Sequence, residues 1–118
     1  MSPPARPEVS KDRPELASAA PVFAALGDET RLGLVARLSA GDRMSITRLT
    51  ERTGVTRQAV TRHLEVLEDA GVVRGTRQGR ERIWELEPQR IEQARRSLDE
   101  ISRWWDDKLA ALKAKVEE

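Results

Sequence analysis

The sequence contains no cysteine. Disulfides, thiolate metal sites and thiol redox sensing are therefore excluded. Histidine is nearly absent too, with His63 standing alone. No apolar run approaches the roughly 18 residues of a membrane span. The N-terminus lacks the apolar core of a signal peptide. Also missing are a Gly-rich phosphate loop and any paired-carboxylate pocket that a sequence can reveal, so an enzyme is not expected. A soluble cytoplasmic protein without membrane partner, metal or cofactor is the expectation. An excess of one charge is lacking as well. The formal net charge is +1, so bulk attraction to nucleic acid carries no argument.

What is present is distributed unevenly. The 118 residues suffice for one domain with one core. Residues 43–87 hold nine basic and seven acidic side chains, and all nine basic ones are arginine. The planar guanidinium fork suits phosphate and guanine. Charge alone would fit an ordinary salt-bridged helical surface. The local pattern is what points elsewhere.

That pattern centres on residues 56–71, TRQAVTRHLEVLEDAG. Val60, Leu64 and Leu67 recur at helical spacing, extended by Ala70, so one side is apolar. Thr56 fits an N-cap and Gly71 a stop. The opposite side of the first two turns carries Arg57, Gln58, Thr61 and Arg62. These groups can donate to phosphates and base edges. A short amphipathic helix over residues 45–53 precedes it, joined through Gly54-Val55. Ser45 caps that helix, and Ile46, Leu49 and Thr50 face inward. Two helices joined by a tight Gly-containing turn form a helix-turn-helix.

Upstream, residues 1–19 carry Pro3, Pro4, Pro7 and Pro14 among mixed charges. Such a stretch buries too little to offset its ordering entropy, so a disordered tail is expected. Residues 20–26 predict a short apolar helix with Pro21 in its first turn, ended by Gly27. Asp28 then caps a helix to about Ser39. Leu32, Val35 and Ala36, joined by Leu34 and Leu38, supply its apolar face. Arg43-Met44 is a brief extended piece.

Downstream, residues 72–77 and 81–86 are β-prone runs around Gln78-Gly79-Arg80, which predicts a hairpin. Trp84 and Leu86 share a face toward the helices. Arg74, Arg77, Arg80 and Arg82 cluster around the tip. A hairpin directly after a recognition helix is a wing, able to lie along the DNA backbone or in the minor groove. Pro88 opens the last helix. There Ile91, Ala94, Leu98, Ile101, Trp105, Leu109, Leu112 and Val116 follow a near-heptad seam, widened by Trp104. One small domain cannot bury so long a stripe, so the seam calls for the same helix of a second copy.

These residues resemble a known family. AALGDETRLGLVARL (24–38) resembles the first helices of the ArsR family of bacterial winged-helix regulators. Residues 56–86 resemble that family's recognition helix and wing, including His63-Leu64 and the Leu67-x-x-Ala70-Gly71 run. The resemblance implies a mainly α winged helix-turn-helix fold, with about five helices, a hairpin wing and a long C-terminal dimerisation helix. The domain would span residues 20–87, with residues 88–118 as the dimerisation helix of the same unit. It implies a homodimer joined through first and last helices, bringing in Phe23 beside Leu98, Ile101, Trp104, Trp105, Leu109 and Leu112. It implies binding to a palindromic operator in double-stranded DNA, usually as a repressor. A small-molecule inducer is a further implied partner, of chemistry the sequence leaves undefined.

The sequence departs from the metal-sensing members. Where the arsenic or cadmium type has paired cysteines, this chain has Ser45-Ile46-Thr47, which cannot replace soft thiolates. The zinc type uses acidic and histidine ligands on the last helix. Here Asp99, Glu100, Asp106 and Asp107 occur without histidine. The expectation is a member without metal boxes. Gln58, Thr61 and Arg62 are the expected base readers, and Thr56 and Arg57 the phosphate contacts at the helix N-terminus. Arg77 and Arg80 are the expected wing contacts. His63, one position off the apolar stripe, could reach DNA or pack at the helix edge. Arg31 is expected to be structural. The competing reading is a winged-helix protein-interaction adaptor without DNA binding.

Overall fold

The computed structural model describes residues 14–117. Five helices and three short strands follow in the order α1 (Pro14–Leu26), α2 (Glu29–Gly41), β1 (Met44–Ser45), α3 (Ile46–Thr50), α4 (Arg57–Asp69), β2 (Val73–Gln78), β3 (Glu81–Leu86) and α5 (Pro88–Val116). The strands form one antiparallel sheet ordered β1-β3-β2. This is the winged helix-turn-helix that the sequence predicts.

Three helices begin where a side-chain oxygen accepts an otherwise orphaned amide. Asp28 caps α2 through Arg31 N, Ser45 caps α3 through Arg48 N, and Thr56 caps α4 through Ala59 N. α5 starts on Pro88, whose missing N–H costs nothing in a first turn. In the hairpin, Gln78 pairs with Glu81, leaving Gly79-Arg80 as a two-residue turn. Gly79 takes φ 64°, the left-handed backbone that a first turn position of this kind demands.

The core lies between the helices and the sheet. Val60, Leu64 and Leu67 of α4 are fully buried, as are Leu34 and Leu38 of α2 and Leu49 of α3. Trp84 on the central strand is paired with Met44 on one side and Gly75 on the other. A Cβ at Gly75 would come within 2.9 Å of the Trp84 ring, so glycine lets the sheet close over the indole.

Four expectations are corrected. The expected tail over residues 1–19 is too long, because α1 already runs from Pro14, with Leu16 and Ala19 buried. Residues 1–13 lie outside the described residues. The folded unit therefore starts before residue 20, and Pro21 sits in the interior of α1 rather than in its first turn. The prolines misled because the opposite face, Leu16-Ala19-Val22-Ala25, is what α1 buries. In α2, Leu34 and Leu38 form the inner face, while Leu32 and Ala36 are exposed. In a helix with apolar groups almost all round, periodicity does not select the side. α3 ends at Thr50 rather than near residue 53, because Glu51 leaves the helical region with ψ 133° and Arg52 follows at φ 66°. Finally, the early part of the α5 seam is covered within the chain: Ala94 is buried together with Ser97, whereas Leu98, 53% exposed, stays on the uncovered stripe. α5 packs along α1, which covers that side.

Candidate nucleic-acid interface

The helix-turn-helix is held in place by a residue outside it. Arg37 of α2 donates to the carbonyls of Arg48, Leu49 and Glu51 at 2.7, 2.8 and 2.6 Å. These are the carbonyls that the end of a short helix leaves unmatched. One guanidinium thus ties α3 and the start of the turn to α2. Within the turn, Thr53 Oγ1 donates to Thr50 O at 2.7 Å and accepts from Val55 N at 3.3 Å. Gly54 supplies φ 75°. Nothing in the local sequence marks Arg37, since its partners are main-chain oxygens 11 to 14 residues away.

α4 leaves the turn with Thr56 accepting from Ala59 N at 3.1 Å. Its inner stripe is buried, so the outer face follows from geometry. Arg57, Gln58, Thr61, Arg62 and Glu65 line one shallow depression on that face. Arg57, Gln58 and Arg62 are exposed and Thr61 is half-buried. Thr61 Oγ1 donates to Arg57 O at 3.0 Å, which leaves its lone pairs free to accept. Neither Arg57 nor Arg62 forms an ion pair among the described residues.

His63 is not part of this group. It lies on the other edge of the buried stripe, with Arg31 Nη1 3.2 Å from its Nδ1 and Asp28 Oδ2 at 3.9 Å. Arg31 also donates from Nε to Ala25 O at 2.6 Å. The arginine therefore joins the end of α1, the cap of α2 and the flank of α4. The Arg31 backbone amide, followed by the Arg31 guanidinium and His63, holds the Asp28 carboxyl below its ordinary range.

The four wing arginines divide into two pairs. Arg74 reaches Glu85 at 2.8 Å and Glu87 at 3.3 Å. Its hydrogen bond to Glu85 is the main reason that the Glu85 carboxyl lies below its usual value. Arg82 contacts Glu68 of α4 at 3.1 Å and lies 4.4 Å over the Trp84 ring. Glu68 accepts in addition from Gly75 N at 2.9 Å, so one carboxylate joins the recognition helix to the wing. Only Arg77 and Arg80, nearest the turn, are exposed and without a partner among the described residues. Sequence reasoning missed Glu68, whose partners are backbone and side chain on another element.

α5 carries the candidate self-association residues. Leu98, Trp105, Leu109, Leu112 and Val116 are 53%, 54%, 58%, 58% and 76% exposed. Ile101, Trp104 and Phe23 of α1 are half-buried. Trp104 meets Trp105 edge-on at 4.8 Å, and the Lys108 ammonium stands 5.6 Å over the Trp104 ring. Asp99 is paired with Arg95 at 2.9 Å. Among the described residues, no three His, Asp or Glu side chains converge as metal ligands. None of the helices among the described residues is long and apolar enough to cross a membrane.

Comparison with known proteins places these features. Residues 26–76 match the model of a helix-turn-helix domain family. An uncharacterised HTH-type transcriptional regulator of Bacillus subtilis, YuzN, is 41% identical over 68 residues, covering 52% of this chain and 74% of that protein. The arsenical resistance operon repressor of Escherichia coli is 30% identical over 91 residues, covering 77% of this chain and 78% of the repressor. Among solved structures, an ArsR-like transcriptional regulator from Rhodococcus sp. RHA1 superposes with a TM-score of 0.69 at 37% identity, over 83% of this chain and 92% of that one.

Proposed function

The chain belongs to the ArsR family of winged helix-turn-helix transcriptional regulators, and from that premise we propose that it is a homodimeric, non-enzymatic repressor acting on a palindromic operator in the cytoplasm. The observation that carries the reading is the outer face of α4. Its two arginines and its glutamine are exposed and unpaired among the described residues, and the wing tip carries two more such arginines. A protein that ties Arg37, Arg31, Arg74 and Arg82 into its own structure leaves these four cations for something else.

Gln58, Thr61 and Arg62 read base edges in the major groove. Arg pairs with guanine and Gln with adenine, each good bidentate pair contributing about 1–3 kcal/mol of discrimination. Arg57 and the capped N-terminus at Thr56 hold a phosphate. Arg77 and Arg80 track the backbone or minor groove beside the site. His63, bonded to Arg31, supports the helix flank rather than touching DNA. The exposed stripe of α5 joins two copies, so that two α4 helices meet successive major-groove faces.

Selection of bound duplexes from random DNA tests the reading. The expected result is an inverted repeat whose half-sites lie about 10 base pairs, one helical turn, apart. Equal affinity for every duplex at about 0.15 M salt would overturn it, as would selection of a single unrepeated half-site.

A further inference from the structure

α4 carries three carboxylates, and they have different fates. Glu68 is held by Arg82 and by Gly75 N. Asp69 sits at the end of the helix, away from its N-terminal half. Glu65 is exposed, has no hydrogen bond or ion pair among the described residues, and lines the same depression as Arg57, Gln58, Thr61 and Arg62. At 1.5 Å per residue, Arg57 and Glu65 lie about 12 Å apart along the axis, comparable to the roughly 12 Å width of the major groove. A helix that places Arg62 and Gln58 on base edges carries Glu65 into the groove with them.

A carboxylate there faces phosphates on both walls, which is unfavourable on every sequence alike. Only a donor on a base edge offsets that. Cytosine is the one base whose major-groove edge presents a donor, N4, without an acceptor of its own beside it. Adenine sets N7 next to its amino group, guanine presents O6 and N7, and thymine presents O4. Guanine and thymine therefore repel the carboxylate, and adenine, with N7 beside its amino group, is a poorer partner than cytosine. This is specificity by penalty, the complement of the attraction that Arg62 supplies.

We propose that Glu65 is a specificity-determining residue, whose carboxylate accepts from the N4 amino group of one cytosine in each half-site. The proposal rests on the DNA-reading role of the α4 face. Glu65→Gln and Glu65→Ala should each leave the fold intact, since the side chain is exposed and bonds to nothing in the described residues; far-UV circular dichroism and a thermal melt check that.

The test is site selection from random DNA with the wild type, Glu65→Gln, Glu65→Ala and Arg62→Ala side by side. The wild type should select a repeated site with one fixed C·G pair per half-site that Arg62→Ala leaves in place. Glu65→Gln should move that position toward adenine, whose N6 and N7 an amide can match, and Glu65→Ala should make it degenerate. The preference for cytosine there should fall about tenfold or more. Both variants should bind unselected duplex more tightly than the wild type. Identical preferences in all Glu65 variants would overturn the proposal while leaving the DNA-binding reading standing. So would a change confined to the position that Arg62→Ala also alters, because Glu65 would then act through Arg62. A wild type that selects no site overturns both.

Discussion

α4 and α5 are written in the same code and end in opposite situations. Each places apolar residues at helical spacing along one side. In α4, Val60, Leu64 and Leu67 are completely buried by the chain's own core. In α5, Leu98, Trp105, Leu109 and Leu112 stay more than half exposed. The difference lies in reach. α4 has 13 residues and fits across the domain, whereas α5 has 29 and extends about 44 Å, beyond anything the domain can cover. A hydrophobic stripe states that a face wants covering, but not by what. The contrast separates a helix that the monomer completes from one that the proposed dimer completes.

The strongest way to break this comparison is to charge the uncovered stripe. Leu109→Asp combined with Leu112→Asp should elute as a monomer at micromolar concentration. Affinity for a duplex with two half-sites should fall about 10²- to 10⁴-fold, the loss expected when linked binding becomes independent. Persistence of the dimer, read by light scattering, would return the α5 stripe to the monomer. The covered stripe should respond in stability instead. Leu64→Ala should lower unfolding free energy by about 2–5 kcal/mol in a denaturant melt, because the surrounding core relaxes only partly into the space.

Smaller effects sharpen the contrast between groups committed to the fold and groups left for DNA. Arg37→Met should cost about 1–3 kcal/mol of stability, since three carbonyls lose a charged donor. Hydrogen exchange should be fastest at the α3–α4 turn in that variant. Arg62→Ala should leave the melt unchanged and weaken operator binding by about 1–3 kcal/mol, more than it weakens non-specific binding. Equal losses on operator and random DNA would make Arg62 a phosphate clamp. Arg80→Ala should have the least effect, flattening the log–log salt slope of binding by about 0.9. An unaltered slope would remove the wing tip from the contact list.

Much of the fold was legible because it is local. The caps Asp28, Ser45 and Thr56 each bind an amide three residues on, and the turn at Gly79 needs only its own backbone freedom. The outer face of α4 followed from its inner one. What could not be read was which apolar side of α2 turns inward, and that α1 begins at Pro14. Leu34 rather than Leu32 is buried because the core happens to lie on that side, a fact about the other helices. The arginines show the same limit. Four around the hairpin looked equivalent in sequence, yet Glu68, Glu85 and Glu87 take Arg82 and Arg74 and leave Arg77 and Arg80.

By itself, then, the order of residues determined the elements, the caps that open α2, α3 and α4, and the polar face that α4 presents. These depend on contacts within one turn of helix or one hairpin. The tertiary structure alone decided which charges remain available and how the reading head is braced, through Arg37, Arg31 and Glu68. Those outcomes hang on groups brought together from distant parts of the chain, and only folding creates such neighbours.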